Sequence, residues 1–595
     1  MIYLLYVECH NKTFHYSNIH SGQNNNKHLI IIDSIYLFYK AIMSNTPKFI
    51  FVTGGVMSGL GKGIVASSIA KLLQLCGLKV TCIKIDPYLN YDAGTMNPLT
   101  HGEVFVTDDG GECDMDIGNY ERFLNISLKS SHNLTAGRIF SNVIGLEREG
   151  KYLGQCVQII PHITDEIKKQ LRKISLDENL EVMVVECGGT VGDIESLPFL
   201  EALRQMELED GYTNTFFVHV TLAPVLDAVG EQKTKPTQHS VQELRRIGIQ
   251  PDLLAVRCRT PLTRETIRKI SLFASIPTEC VMSSHDAPSI YSVPKILFDQ
   301  GITKVISKSM NLDLTPRILK WNKIANSFLK FDGSVKIAIV GKYVDLKDSY
   351  VSVSQALLHT GAKFAKEIII DWIDSERFEY SYSNNLGKRT GNTKIFECLK
   401  EFDGILVPGG FGSRGSEGII GSCNFARVND VPFLGICFGF QLAIVEYARN
   451  VCQLNDANST EINPETNNPV VLYMPEQKQV KAMGGTMRLG LHDIQINPGS
   501  IASKIYGKKM IQKRHRHRYE FNQEYRDLIE SNGMKFTGSS DTGKRIEILE
   551  IPGRKFFLGI QYHGEFHSRP GYPEPAFENF IKASIENMRL TKNLI

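Results

Sequence analysis

One cysteine of this chain has the surroundings of a nucleophile. The segment Val431–Gln441 reads VPFLGICFGFQ, so that Cys437 lies between two glycines, after an apolar run and before a predicted helix. A tight turn of this kind exposes the sulfur, and the helix N-terminus favours its anionic form. The alternative is a buried core cysteine, but a Gly-x-Cys-x-Gly frame with a suitable base downstream favours the nucleophile.

A candidate base follows late in the chain. The string QYHGEF places His563 and Glu565 two residues apart after another apolar run, so both would project to one side if the strand continues. Residues 408–412 (PGGFG), after a predicted strand Gly404–Val407, offer backbone N–H groups to an oxyanion. These residues predict a Cys–His–Glu hydrolytic site.

A second chemical site is indicated in the N-terminal part of the chain, at residues 54–63. The glycine-rich turn Gly54–Gly63 follows the apolar run Lys48–Thr53 and opens a predicted helix Lys62–Cys76. Backbone N–H groups, the helix N-terminus and Lys62 would together bind phosphates, although a plain tight turn is the alternative. Gly63 stands where a P-loop usually has the Ser or Thr that holds Mg²⁺, so carboxylates elsewhere must hold the metal.

Such carboxylates are present at two positions. An acidic stretch runs from Asp108 to Asp116, and Glu186 ends a predicted buried strand. Oxygen ligands at the carboxyl end of a parallel strand suit Mg²⁺ that carries ATP phosphates. We expect Asp116 and Glu186 to bind this metal, and Asp108 and Asp109 to lie in a solvated loop.

Two basic segments have different expected roles. The string KTKPTQHS (residues 233–240), ahead of a predicted helix Ser240–Ile247, suits a second phosphorylated ligand, although a solvated basic loop is an equally good interpretation of its composition. The string RHRHRYE (residues 514–520) resembles a nucleic-acid patch, but a net charge of +3 is too small to support that binding. We expect it to recognise carboxylates or to stabilise the structure.

The elements around these motifs predict an α/β protein with two doubly wound, mostly parallel sheets. Buried-strand patterns followed by glycines or helices occur on both sides of a motif-poor stretch, and 595 residues are too many for one ordinary core. We predict an extension at residues 1–42, a first domain at 43–310, a linker at 311–333 and a second domain at 334–590. The other predicted strands are Lys79–Ile85, Val182–Glu186, Thr215–Thr221, Leu253–Cys258, Val335–Val340, Phe433–Ile436 and Phe557–Tyr562.

Composition excludes several classes. Hydrophobic residues make up 42% and charged residues 22%, which excludes disordered and fibrous chains, and the charge balance indicates neither a nucleic-acid nor a membrane partner. No apolar run reaches 18 residues, and the twelve cysteines form no CxxC pair, so we expect a cytoplasmic protein without a zinc ribbon or disulfide framework. We interpret residues 1–42 as dispensable, with Met43 as the functional start; a membrane-surface helix at residues 29–42 is the alternative.

Taken together and in this order, the motifs resemble the CTP synthase family. The resemblance covers residues 43–583 and is carried by GGVMSGLGKG, KIDPYLNYDAGTMNPLTHGEVFVTDDGGECDMDIGNYERF, ECGGTVGDIES, KTKPTQHS, PGGFGSRG, GICFGFQ and RHRHRYE. It implies a P-loop amidoligase fused to a class I glutamine amidotransferase. In such an enzyme ATP phosphorylates O4 of UTP, glutamine is hydrolysed through a Cys437 thioester, and ammonia crosses between the domains to form CTP.

The resemblance also implies residue roles. ATP would contact Gly59, Leu60, Gly61, Lys62, Gly63, Lys84 and Asp116, with Mg²⁺ on Asp116 and Glu186. UTP, or CTP as a feedback inhibitor, would contact Ser58, Asp193, Ile194, Glu195, Lys233, Thr234, Lys235, Pro236, Thr237, Gln238 and Lys269. Glutamine would contact Gly410, Phe438, Gly439, Phe440, Gln441, Glu461 and Arg518. GTP as an allosteric activator, a homotetramer and filaments are further implied properties.

Two residues depart from the family pattern, and two other functions remain open. Gly59 replaces a serine, and Gly564 replaces the proline of a His-Pro-Glu-Phe string, which loosens the link between His563 and Glu565. One alternative is another glutamine-dependent, ATP-using ligase with a different acceptor. The other is a non-catalytic filament or scaffold protein, which would not be expected to retain Cys437, His563, Lys62 and Asp116.

Overall fold

A computed structural model describes residues 47–225, 230–382, 393–477 and 484–593 of the chain. The predicted extension at residues 1–42, including the possible helix at 29–42, lies outside these ranges. Within the described ranges, no helix combines the length and the apolar character needed to cross a bilayer.

The first sheet contains seven parallel strands in the described part of the chain. Their spatial order is Asn133–Thr135, Val80–Asp86, Val182–Cys187, Lys48–Gly54, Thr215–Leu222, Leu253–Cys258 and Val281–His285. The helices around it are Lys62–Leu75, Pro98–His101, Met115–Leu124, Ala136–Arg148, Thr164–Asp177, Leu197–Asp210, Lys235–Arg246, Arg264–Ala274, Val293–Asp299 and Ile302–Met310. A two-stranded ribbon pairs Phe105–Val106 with Glu112–Cys113.

Alternation along the strand Lys48–Gly54 shows why this sheet is covered on both faces. Ile50 and Val52 pack into one apolar cluster, whereas Phe49 and Phe51 pack into another on the opposite face. All four side chains are buried, which is the pattern of a parallel strand with helices above and below it. The predicted doubly wound arrangement is therefore confirmed for this half of the chain.

The second sheet has nine strands among the described residues and is only half parallel. Its spatial order is Glu367–Asp374, Ser334–Gly341, Gly404–Val407, Phe433–Ile436, Phe557–Ile560, Arg545–Glu550, Lys535–Ser540, Arg488–Ile496 and Met510–His517. The first five strands run parallel and the last four are joined by antiparallel pairing. The predicted α/β class is confirmed, and the antiparallel extension adds to it.

Further elements complete the second half. The helices are Leu319–Ser327, Val351–Phe364, Ser375–Tyr382, Ser416–Val428, Phe438–Asn450, Ile501–Tyr506, Arg526–Ser531 and Pro575–Asn593. A small three-stranded sheet contains Asn458–Ser459, Pro469–Tyr473 and Tyr519–Phe521. The helix Leu319–Ser327 lies in the predicted linker, and its Trp321 packs against Phe123 and Tyr291 of the first half.

Candidate active sites

The turn at Cys437 has the geometry expected of a nucleophile elbow. The strand Phe433–Ile436 ends directly before it, and the helix Phe438–Asn450 begins directly after it. Cys437 has φ 52° and ψ −97°, a strained conformation for a residue with a side chain, such as functional turns often hold. The thiol donates to Arg516 O at 3.7 Å, and Gln561 Nε2 donates to the sulfur at 3.6 Å.

His563 and Glu565 form a buried pair, although not in the way that a continuing strand would produce. The strand ends at Ile560, and Glu565 lies in a 3₁₀ turn, Gly564–His567, so the expected strand geometry is wrong at this point. The turn brings Glu565 Oε1 to 2.7 Å from His563 Nδ1. Burial would lower the pKa of His563, but Glu565 and Cys437 outweigh it and raise the pKa to about 10.

Strand order explains why these residues meet. Phe433–Ile436 and Phe557–Ile560 are parallel neighbours, with Ile436 paired to Ile560. The residues that follow each strand therefore emerge side by side at the same edge of the sheet. Cys437 and His563 consequently line one cavity, although they are 126 positions apart in the sequence.

This cavity has walls from both halves of the chain. Gly409, Gly410 and Phe411 form part of it on the side of the second sheet. Pro98, Glu103 and Val104, which precede the strands of the small ribbon in the first half, line it as well. Cys437 therefore shares its cavity with residues of the first half.

The predicted glutamine-binding residues occupy different positions around Cys437. Gly410 lines the cavity, and Glu461 Oε1 accepts from the backbone N–H of Gly412 at 2.7 Å. Gln441 Nε2 donates to Tyr519 O at 2.9 Å, whereas Phe438, Gly439 and Phe440 are buried in the helix that follows Cys437.

Arg518 directly follows the strand Met510–His517. Its Nη1 donates to Gln477 Oε1 at 2.7 Å and to Thr486 Oγ1 at 3.0 Å, and it is not among the described residues that line the cavity. Two residues near Cys437 were not predicted from the sequence. The ammonium of Lys342 lies 4.1 Å from the centroid of the Phe438 ring, and Gln561 contacts the Cys437 sulfur. Gln561 could have been found, because it is two residues before His563.

The phosphate loop has the predicted strand–loop–helix form. The strand Lys48–Gly54 ends in the loop, and the helix Lys62–Leu75 begins after Gly61, at φ 87°. Lys62 Nζ donates to Gly189 O at 2.6 Å, Ser58 is exposed and Leu60 is buried. Gly59 has φ 74°, in the left-handed region that favours glycine, which accounts for the absence of a serine side chain here.

Gly63 is explained by its neighbour. A Cβ atom at this position would overlap the Asp116 carboxylate, with Oδ1 as the nearest atom. A Ser or Thr therefore does not fit, and a carboxylate lies where the usual P-loop hydroxyl would be. A metal here would therefore need ligands other than a loop hydroxyl.

Asp116 belongs to a buried charge cluster around Lys84. Lys84 Nζ lies 2.9 Å from Asp116 Oδ2, 2.8 Å from Asp114 Oδ1 and 3.3 Å from Asp86 Oδ1. Burial would lower the pKa of Lys84, but these carboxylates outweigh it and raise the pKa well above its usual value. Burial would raise the pKa of Asp116, but Lys84 and its hydrogen bonds lower it, so Asp116 is an anion.

Glu186 lies near Asp116 in a different environment. It is the second-to-last residue of the strand Val182–Cys187, and Tyr120 OH donates to its Oε2. Burial and the neighbouring charge of Asp116 raise the pKa of Glu186 to about 8. A divalent cation would relieve this repulsion, and Mg²⁺ is commonly held by one or two carboxylates plus phosphate oxygens. The donor set fits Mg²⁺, although the described residues contain no ready-made group of three or more such ligands.

The KTKPTQHS segment begins its helix earlier than predicted. The helix is Lys235–Arg246, so Lys235, Pro236, Thr237 and Gln238 form its first turn. Thr237 Oγ1 donates to Leu222 O at 2.9 Å, and Gln238 Nε2 donates to Thr234 Oγ1 at 2.9 Å. These hydrogen bonds shape the turn, whereas Lys235 is exposed and Lys233 is half-buried beside Glu231 at 2.6 Å.

A cavity of about 760 Å³ lies next to this turn. Thr234 and Gln232 line it, and its charged lining residues are the cations Arg259 and Lys269 and the carboxylates Glu231 and Glu265. The predicted contact Lys269 is thereby brought together with the KTKPTQHS segment, whereas Arg259 was not predicted.

His219, another missed residue, connects this helix to the phosphate loop. Its Nε2 lies 2.7 Å from Ser240 Oγ, and its Nδ1 lies 2.9 Å from Thr53 Oγ1 on the strand that enters the loop. Burial lowers the pKa of His219 to about 3, so the ring is neutral and donates at one nitrogen while accepting at the other.

Asp193, Ile194 and Glu195 lie on the exposed loop after the strand Val182–Cys187. Asp193 Oδ2 accepts from Thr190 N at 3.1 Å, and the side chain of Ile194 is 82% exposed. Ile194 and Glu195 line a largely apolar cavity of about 790 Å³ together with Leu89 and Phe140. This cavity is separate from the one that Thr234 and Lys269 line.

The RHRHRYE segment forms ion pairs with carboxylates of the first half, which is the structural role, one of the two that were predicted. Arg514 Nε donates to Asp108 Oδ1 at 2.5 Å, and Arg516 Nε donates to Glu112 Oε1 at 2.8 Å. These contacts join the strand Met510–His517 to the acidic stretch of the first half. Asp109 is exposed, but the expectation of a solvated Asp108 is wrong, because its carboxylate binds Arg514.

Comparisons with known proteins identify the family of each half of the chain. Residues 48–312 match the family model described as CTP synthase N-terminus, and residues 345–583 match the one described as glutamine amidotransferase class-I. The CTP synthase of Pyrococcus furiosus is 52% identical over 541 residues, 91% of this chain and 98% of that protein. The CTP synthase of Staphylococcus saprophyticus is 50% identical over 546 residues, 91% of this chain and 99% of that protein.

Among solved structures, the glutaminase domain of Trypanosoma brucei CTPS with bound acivicin covers 42% of this chain and 94% of its own, with 36% identity and a TM-score of 0.39. The two family models together span most of the chain, and relatives at half identity extend over nine-tenths of it. The chain therefore belongs to the CTP synthase family and is a glutamine-hydrolysing enzyme that uses ATP to convert UTP to CTP.

Proposed function

We propose that CTP formation on this chain takes place in three steps at two separate sites. The γ-phosphoryl group of ATP is transferred to O4 of the uracil ring of UTP, which turns a poor leaving oxygen into a good one. Glutamine is hydrolysed at the second site. The released ammonia then attacks C4, and inorganic phosphate leaves with O4.

In the glutaminase step, Cys437 acts as the nucleophile and His563 moves the proton. The sulfur attacks the side-chain carbonyl carbon of glutamine, and His563 delivers the thiol proton to the leaving nitrogen, which departs as ammonia. Water then hydrolyses the thioester with His563 as the base, and glutamate is released. The contact of 2.7 Å to Glu565 supports this role because it fixes the orientation of the ring.

In the phosphoryl-transfer step, we assign Gly59, Leu60, Gly61 and Gly63 to the phosphate loop, with Lys62 and Lys84 beside it. Asp116 and Glu186 would hold Mg²⁺, which when bound offsets the negative charge of the ATP phosphates. Lys62 supplies a positive charge next to the loop, and the helix that starts there points its N-terminus at the same region.

For the nucleotide substrate, we assign the cavity beside the KTKPTQHS segment, which Arg259 and Lys269 line, to UTP. Ser58 and the residues from Lys233 to Gln238 would contact it, with Lys269 in the same wall. The exposed loop Asp193–Glu195 would contact CTP as an inhibitor. Activation by GTP, a homotetramer, filaments and a cytoplasmic location stay predictions that rest on the family resemblance.

The cavity shared by the two halves supports the proposal most strongly. Ammonia that forms at Cys437 is released against Glu103 and Val104 of the amidoligase half. Ammonia passing between the halves would avoid dilution in bulk water. This requires two activities that can be separated by mutation.

The decisive experiment compares two nitrogen sources. Cys437→Ala should abolish CTP formation from glutamine and leave formation from added ammonia within about twofold of the wild type, because only the nucleophile is removed. Cys452→Ala, a change at a half-buried cysteine of the same half, serves as the control and should retain both activities. Equal loss of both activities in Cys437→Ala would contradict the two-site scheme, and replacing UTP by other acceptors tests the substrate.

A further inference from the structure

The helix Met115–Leu124 faces both active sites. Four successive residues, Asn119, Tyr120, Glu121 and Arg122, make contacts in two directions. Asn119 Nδ2 donates to Asp116 Oδ1 at 3.1 Å, and Tyr120 OH donates to Glu186 Oε2, so both contact a proposed metal ligand. Glu121 and Arg122 instead contact residues of the glutaminase half.

A continuous hydrogen-bond chain passes through Arg122. Its Nη2 donates to Asn119 Oδ1 at 2.8 Å, and its Nη1 donates to Ser352 Oγ at 3.0 Å. The Ser352 hydroxyl donates in turn to Glu103 Oε2 at 2.5 Å, and its backbone N–H donates to Glu103 Oε1 at 3.1 Å. At one end of this series of hydrogen bonds, Glu103 lines the cavity that contains Cys437. At the other end, Asn119 contacts Asp116.

The chemistry of each group in this chain is directional. The Ser352 hydroxyl accepts from Arg122 and donates to Glu103, which uses its proton and one lone pair. The Asn119 amide accepts at its oxygen and donates at its nitrogen, so its orientation is set by Arg122 on one side and Asp116 on the other. Ser352 contacts Arg122, and Arg122 contacts Asn119, so a change at Ser352 would reach Asn119 through Arg122.

Burial makes these contacts informative. Arg122 is 1% exposed and Ser352 is fully buried, so neither is a mobile surface group. A buried guanidinium is costly unless hydrogen-bonded, yet Arg122 Nε has no hydrogen-bond partner in the described part of the chain. The two Nη contacts to Ser352 and Asn119 therefore determine where this charge lies.

We propose that Arg122 is a positioning residue that, through Asn119 and Ser352, couples the orientation of the Asp116 carboxylate to the wall of the glutaminase cavity. This inference rests on the proposed role of Asp116 as a metal ligand. The partners behind a metal ligand commonly change metal affinity by about 10- to 100-fold. A more remote member of the chain should change it by less.

The test measures metal binding rather than turnover. Mn²⁺ binding to the full chain with a non-hydrolysable ATP analogue can be followed by electron paramagnetic resonance. Asn119→Ala should weaken binding by about tenfold and Ser352→Ala by about threefold, because the second change acts only through Arg122. Ser354→Ala is the matched control, because Ser354 lies on the same helix as Ser352, Val351–Phe364. The Ser354 hydroxyl donates to Tyr350 O at 3.1 Å, so Mn²⁺ binding should be unchanged in this variant.

The double variant makes the test specific. If Asn119 and Ser352 act through one path, Asn119→Ala with Ser352→Ala should bind Mn²⁺ no more than twofold more weakly than Asn119→Ala alone. Independent losses that multiply, or a Ser352→Ala variant that binds like Ser354→Ala, would overturn the coupling. Ser352→Thr, which keeps the hydroxyl, should restore most of the affinity.

Two additional variants separate the possible failures. If Asp116→Asn binds Mn²⁺ like the wild type, the proposed metal site itself is wrong. If Asp116→Asn loses binding and Ser352→Ala does not, only the coupling is wrong. Thermal unfolding confirms that each variant folds, and Arg122→Lys, which keeps the charge but cannot span both partners, should match Ser352→Ala if that variant proves unstable.

Discussion

Arg514 binds Glu121 through two parallel hydrogen bonds across the contact between the two halves of the chain. Nη1 donates to Oε2 at 2.9 Å and Nη2 donates to Oε1 at 3.0 Å, and both side chains are fully buried. Arg569 Nη2 donates to the same carboxylate at 2.6 Å. One carboxylate from the amidoligase half thus binds two guanidinium groups from the glutaminase half. Its negative charge therefore stabilises the contact between the two halves.

Removing that carboxylate charge should be strongly destabilising. Glu121→Gln leaves Arg514 and Arg569 buried beside a neutral amide, and breaking a buried ion pair from one side costs about 3–5 kcal/mol. Urea unfolding should show this as a lower free energy of unfolding. Asp177→Asn, in the exposed pair with Lys173, is the control and should cost no more than about 0.5 kcal/mol. Similar losses in both variants would contradict the assigned role of burial.

Gly63→Ala should damage the phosphoryl-transfer site selectively. The new Cβ would overlap Asp116 Oδ1, which Lys84 and Asn119 hold in place, so either the helix start or the carboxylate must move. We expect ammonia-dependent CTP formation to fall by at least about tenfold, since small displacements in such sites are costly. The glutaminase reaction, measured as glutamate release, should decline far less.

A second glycine provides the control for this change. Gly145 lies in the helix Ala136–Arg148, and a Cβ there would have open space. Gly145→Ala should leave CTP formation intact and raise the free energy of unfolding by about 0.4–1 kcal/mol, because alanine has less freedom to lose on folding. A loss of CTP formation in Gly145→Ala would show that the assay responds to glycine replacement in general.

The pH dependence of stability should depend on Glu565. The folded-state pKa of His563, about 10, lies above its ordinary value of 6.5. The protonated ring therefore stabilises the fold fully below pH 6.5, and this contribution is lost as the pH rises toward 10. Glu565→Gln removes the carboxylate that raises this pKa, so the difference in free energy of unfolding between wild type and variant should be largest near pH 6 and shrink by pH 10. A difference that is constant with pH would contradict the pairing.

A side chain at Gly564 should be crowded by Glu574. A Cβ at residue 564 would lie 3.0 Å from Glu574 Cδ, and Glu574 is held by Lys513 at 3.0 Å and by Tyr506 at 2.8 Å. Gly564→Ala should therefore lower the free energy of unfolding by about 1–3 kcal/mol. In a Glu574→Ala background the same substitution should cost less, and a double-mutant cycle measures the difference; identical costs would rule out the crowding.

The sites that could be predicted from the residues alone are those built from neighbouring residues. The phosphate loop and the Cys437 elbow each consist of a strand, a short turn and a helix, so the glycine positions and apolar runs are enough to predict them. The overlap of a Cβ at Gly63 with Asp116 is visible only in the structure. The expectation that a metal would lack a loop hydroxyl ligand follows from the sequence alone, because Gly63 has no side chain.

Contacts between distant segments could not be predicted in this way. Glu565 reaches His563 through a 3₁₀ turn instead of a continuing strand, and Asp108 pairs with Arg514 instead of lying in solvent. His219 joins two segments that no motif connects. A buried ion pair or hydrogen bond forms only when folding brings both partners together and removes water from them, and nothing in the local pattern of either residue specifies that partner.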